Sequence, residues 1–136
     1  MSKFTGPLII EELVPGRRWL LHENIQYEAG AEGSGRVIVV PAGFETDGAT
    51  LPAPLRLVLA VWGTYGRAAC LHDLGYSLLR AGIPHQYMPT RRAVDAEFFT
   101  AMRACGTSAW LTWAMWAAVR VFGGIALRHQ PAAKGV

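Results

Sequence analysis

Two cysteines in 136 residues exclude a disulfide-built scaffold. Charge is scarce as well. At 17% charged against 51% hydrophobic, with a net charge of +3, the chain is too apolar for intrinsic disorder. It is long enough to bury a core, and its length suits a single domain over 1–136. The basic residues are scattered rather than striped, so the mild positive charge does not mark a nucleic-acid partner. The apolar run Leu8-Ile9-Ile10 meets Glu11 and Glu12, too short for the core of a secretory signal. The expected location is therefore the cytoplasm. No internal repeat is present.

What is there changes character near residue 50. The first part, about residues 7–47, reads as antiparallel β. Leu8–Leu13 is a short strand, followed by a Pro15-Gly16 turn. Arg18–Glu28 continues as a longer strand that can break at His22-Glu23-Asn24. Arg36–Val40 is the clearest strand, being β-branched and bounded by Gly and Pro. Glu45–Thr50 reads as a tight polar loop. Residues 51–128 read as helical: a short apolar helix over Pro54–Trp62, a helix over Arg67–Arg80, and one from Arg91 to about Ala104 capped by Thr90. A last helix runs from Ala109 to about Phe122, which Gly123-Gly124 either stops or weakens. Residues 129–136 are expected to be a loose tail. The fold class is thus α+β.

The segment Leu71–Tyr76 carries the most chemistry. His72 and Tyr76 are four apart and share a helix face, while Asp73 lies about 100° further round. Gly75 in mid-helix costs about 1 kcal/mol against alanine, which points to close approach of another backbone or a ligand. On the next helix Val94, Phe98, Ala101 and Met102 form a core face with Asp95 at its edge. A buried carboxylate needs a partner. A His and a Tyr on a facing antiparallel helix would supply one; a solvated Asp95 is the plain alternative. The Asp47-Gly48 loop is either an ordinary turn or a lender of oxygens to a cation. Asp47, His72, Asp73 and Asp95 together would form a mixed set suited to zinc, manganese or iron, with His85 a poor further ligand.

Two resemblances rest on these residues. Phe44–Pro52, Ala69–Tyr76, Arg92–Phe99 and Ala118–Gly123 resemble, in order, a family of small phage and prophage proteins known only as a domain of unknown function. That likeness implies a phage origin, with synthesis in the host cytoplasm and incorporation into the virion as an open possibility. His72-Asp73-x-x-Tyr76 followed by Asp95-x-x-Phe98 is similar to the helical core of the phospholipase A2 superfamily, of bacterial and parvoviral type. The second likeness implies that His72 is the general base, Asp95 its orienting acid and Tyr76 the support of that acid. It also implies that Asp73 binds calcium together with an upstream loop. Either Asp47-Gly48, 25 residues before His72, or Gly63 to Gly66 could be that loop. Secreted members staple the two helices with disulfides. Here the helical register separates Cys70 from Cys105 along the axis, and two free thiols are expected.

The last helix is apolar from Ser108 to Leu127 apart from Arg120. Its length could span a bilayer, but a central arginine would cost about 3 kcal/mol there. The plain reading is a core or subunit-interface helix; Trp110, Trp113 and Trp116 lie near one face and could also dock on a membrane surface or on virion proteins in an oligomer or larger assembly. The functional expectation is a phage-encoded, metal-dependent ester hydrolase. The alternative is a virion structural or assembly protein in which the same cluster is structural.

Overall fold

The computed structural model describes residues 2–15, 18–46 and 65–129, with the side chains of 125–129 left aside. The expected helix over Pro54–Trp62, the Asp47-Gly48 and Gly63-Thr64 loops and the tail beyond His129 lie outside the described residues. The elements run β1 (Lys3–Thr5), β2 (Ile10–Val14), β3 (Arg18–Leu21), β4 (Ile25–Glu28), β5 (Val37–Val40), β6 (Glu45–Thr46), α1 (Gly66–Arg80), α2 (Arg91–Ala104) and α3 (Ala109–His129). Strands precede helices, so the fold is α+β, as the sequence indicates.

The strands form two antiparallel three-stranded sheets, ordered β1-β4-β5 and β2-β3-β6. Alternation dictates their faces. In β4 Ile25 and Tyr27 are fully buried while Gln26 is exposed, and in β5 Ile38 and Val40 are buried while Val37 and Val39 face out. Tyr27 stands opposite Phe4 on one side and Ile38 on the other, so three strands feed one apolar layer. The run from Arg18 to Glu28 does break at His22–Asn24, and its halves join different sheets.

Two strands depart from expectation. β1 begins at Lys3, ahead of the expected start near residue 7. Glu45-Thr46 is a strand rather than a loop: Thr46 pairs with Trp19 and Glu45 with Leu20. Both segments are too short to show a period of two, and only their neighbours make them strands.

The helices cover the sheets. α1 packs on α2 and α2 on α3; β5 and β6 lie against α1 and β1 against α2. Gly75 meets Val94, His72 meets Asp95, and Cys105 sits at the backbone of Ala68, so α1 and α2 run antiparallel. α2 starts as expected, with the Thr90 hydroxyl accepting from the Ala93 N–H at 3.1 Å. Thr90→Ala should lower stability by about 1 kcal/mol, read as a shifted midpoint in urea; an unchanged midpoint would show the cap to be idle. α3 does not stop at Gly123-Gly124 but runs through them to His129. Packing overrides the weak propensity there, because Gly123 lets the helix close onto Tyr76.

Candidate functional site

Three helices converge on one carboxylate. Asp95, on the inward face of α2, is 0% exposed. Its Oδ1 is 2.8 Å from Nε2 of His72 and accepts from the Tyr76 hydroxyl at 2.7 Å, both on α1. Its Oδ2 accepts from Arg120 of α3 at 2.8 Å, with Arg91 at 3.7 Å. Arg91 also donates to the backbone carbonyls of Val119 and Arg120, at 3.3 Å each, and so fastens α3 to the start of α2.

The local sequence explains the convergence. The i, i+4 spacing puts His72 and Tyr76 one above the other, with ring centroids 4.3 Å apart. Phe98, one turn after Asp95, closes the other side of the imidazole at 4.5 Å. The helices approach closely because Gly75 faces Val94: a Cβ at residue 75 would lie 2.6 Å from a Val94 methyl. Gly75 does mark a close approach, but to the Val94 side chain rather than to the backbone or ligand expected from the sequence.

Burial alone would push the Asp95 carboxyl up, but the hydrogen bond from His72 and its charge, then the bonds from Tyr76 and Arg120, outweigh that and hold it below the ordinary value. Asp95 is therefore a carboxylate that accepts from all its partners. The His72 Nε2 then carries the proton of that bond, and in the neutral ring Nδ1 carries the lone pair. Burial, then the bond to Asp95, raises the Tyr76 hydroxyl well above its usual range, so it stays a neutral donor.

Asp73 points elsewhere. It is buried and its Oδ2 accepts from the Thr46 hydroxyl at 2.7 Å, which ties α1 to β6. The structure brings His72, Tyr76 and Asp95 together and puts Asp73 on a separate contact. Asp47 and Gly48 lie outside the described residues. Within the set of Asp47, His72, Asp73 and Asp95, the Asp95 oxygens accept from His72, Tyr76 and Arg120. Among the described residues no group of three or more His, Cys, Asp and Glu side chains could hold a metal ion. His85 belongs to a small turn, where its Nδ1 accepts from the Tyr87 N–H at 3.1 Å.

Sequence reasoning missed Arg120 and Arg91. Arg120 stood out only as a charge in an apolar helix, which was itself the signal: such a charge needs a buried counter-ion. Both cysteines are free, as expected, and burial raises both thiols. A Cys70 thiolate nucleophile is disfavoured on that ground. Of the three tryptophans on α3, Trp110 and Trp113 face out while Trp116 is half-buried against the core. No helix among the described residues is long and apolar enough to cross a membrane.

These features define an α+β protein whose helices assemble a His–Tyr–Asp cluster closed by arginine. The chain matches the family described as "Protein of unknown function (DUF1353)" over residues 19–119, and it belongs to that family. That span holds every residue of the cluster except Arg120. No curated protein and no solved structure matches the chain.

Proposed function

We propose that this protein is a phage-encoded ester hydrolase with a phospholipase A2-like core, acting on lipid in host penetration or lysis. The observation that carries the reading is the His72 Nε2 to Asp95 Oδ1 contact of 2.8 Å across antiparallel α1 and α2, supported by Tyr76. In this reading Nδ1 of His72 takes a proton from water as the water oxygen attacks an ester carbonyl; the tetrahedral intermediate then collapses, the acyl C–O bond breaks, and the imidazolium returns the proton to the departing alcohol oxygen. Asp95 holds the ring in the tautomer that leaves Nδ1 basic and stabilises the imidazolium that forms. Tyr76 and Phe98 keep the ring from rotating.

Calcium is the proposed cofactor. Asp73 is the hard oxygen donor that would hold it, with Asp47 and Gly48 as proposed companions. Asp73 suits calcium in kind, yet one carboxylate falls short of the six or more oxygens calcium takes, and its Oδ2 already accepts from Thr46. Bound calcium would polarise the ester carbonyl.

The test is phospholipid ester hydrolysis by the purified protein, with calcium and with chelator, beside His72→Ala. Calcium-dependent turnover, reduced at least a hundredfold in a folded His72→Ala protein, is the expected result. Absence of turnover in a folded wild-type protein under every condition would overturn the reading. A second reading, a virion structural or assembly protein active as an oligomer, is favoured by Arg120. Its bond to Asp95 makes the cluster a tie among three helices, which a structural protein needs whether or not it turns over substrate.

A further inference from the structure

Among the described side chains, the outward face of α3 carries no charge. Between Trp110 and Gly124 its exposed positions are Trp110, Trp113, Ala114, Ala117, Val121 and Phe122. Trp110, Trp113 and Val121 are 69%, 58% and 68% exposed, and with Ala117 they form one stripe at helical spacing. A face this apolar on a helix otherwise packed against its own domain is expensive to leave in water.

α2 borders that stripe. Ala96 and Phe99 join Trp113 and Trp116 around an open notch of about 260 Å³, with Phe99 and Trp113 edge to face at 4.8 Å. Arg92 lies one turn before Ala96, and Arg103 one turn after Phe99. These four residues share a face of α2, and both arginines are exposed; Arg103 also donates from one Nη to the Thr107 carbonyl at 2.7 Å, which leaves its other N–H groups for a ligand. The two acids of α2 turn elsewhere: Asp95 is buried in the cluster, and Glu97 accepts from the Tyr27 hydroxyl at 2.8 Å. α3 contains no acid. The helices thus present aromatic and aliphatic surface edged by guanidinium groups, with no carboxylate of their own on it.

We infer that this face is a docking surface for an anionic lipid bilayer, with Trp110 and Trp113 at the headgroup boundary and Arg92 and Arg103 on lipid phosphates. Indole suits that boundary because its ring is apolar and its N–H is polar. Guanidinium pairs with phosphate in bidentate fashion. A second copy of the chain fits less well. A two-fold contact sets a patch against itself, so both copies would bring arginines to the border with no helix carboxylate to meet them. The surface lies on the bilayer rather than across it, since Arg120 is held inside the protein by Asp95. The inference goes beyond the hydrolase reading, because it holds for an inactive protein as well.

The experiment is flotation of the full chain with vesicles of phosphatidylcholine alone and of phosphatidylcholine mixed with phosphatidylglycerol, in chelator. The variants are Trp110→Ser with Trp113→Ser, and Arg92→Glu with Arg103→Glu, each checked for folding by circular dichroism. The expected result is flotation with the anionic vesicles, weaker flotation with the zwitterionic ones, and a loss of about tenfold in either paired variant. His72→Ala should float like the wild type, so failure of hydrolysis leaves this result untouched. The inference is overturned if the wild type does not float with anionic vesicles, if it floats equally with both kinds, or if the tryptophan pair floats undiminished. It is also overturned if gel filtration shows a wild-type oligomer that the tryptophan pair abolishes while vesicles capture neither.

Discussion

Asp95→Ala will be the most damaging single substitution in the helical half, lowering stability by about 3–5 kcal/mol, the scale for breaking a buried ion pair. The change strips His72, Tyr76 and Arg120 of a shared acceptor at once. His72 and Tyr76 are nearly fully buried, so water replaces the lost bonds poorly. Arg120, whose side chain is 29% exposed, can turn partly to solvent, which keeps the loss from being larger. Urea unfolding of the wild type beside Asp95→Ala and Asp95→Asn measures it, and a loss below about 1 kcal/mol would show that the cluster is not a tie.

The same carboxylate sets an acid limit. Its folded-state value lies below the ordinary 3.8, so the stability it contributes is fully present above that value and is lost as pH falls through the lower folded one. Asp95→Asn should flatten this part of the acid-unfolding profile and leave the neutral arm parallel to the wild type.

Gly123→Ala should lower stability by about 1–2 kcal/mol, although alanine is the better helix former. A Cβ there would lie 2.3 Å from the Tyr76 hydroxyl, a contact no real Cβ makes. Tyr76 cannot simply swing away, because it is buried and bonded to Asp95. Either α3 shifts outward or Tyr76 leaves the carboxylate. Removing the hydroxyl should relieve most of the clash. In a Tyr76→Phe background the added cost of Gly123→Ala should therefore shrink by roughly 1 kcal/mol, the scale of coupling between touching side chains. Simple additivity of the two changes would contradict the packing described for Gly123.

How much of this was legible follows from what each signal needed. Gly66–Arg80 and Arg91–Ala104 announce themselves because each is long enough to show a helical period, and Val37–Val40 because it is β-branched between Gly and Pro. The meeting of His72, Tyr76 and Asp95 was legible too, since one carboxylate on an apolar edge and one i, i+4 pair demand each other. β1 and β6 were not, because strands of three and two residues are made by their neighbours rather than by their own pattern. Arg120 was visible as an oddity, but its partner lies 25 residues away on another helix, and no local rule names it. The outcome at Gly123 was not legible either, for a related reason. Propensity alone does not decide between a stop and a weak point, whereas its contact with Tyr76 makes it the residue that lets the helix pass.

The arginine clamp makes the packing of two helices conditional on a third. α1 and α2 precede α3 in the chain, so without α3 the Asp95 carboxylate has its histidine, its tyrosine and the Arg91 guanidinium at 3.7 Å, but lacks the shorter Arg120 bond. Without Arg120 the Oδ2 atom loses its 2.8 Å bond, and closing two helices over an ionised group short of a donor is costly. Tight closure of α1 on α2 therefore depends on α3, which supplies the last donor to a carboxylate that the other two helices enclose.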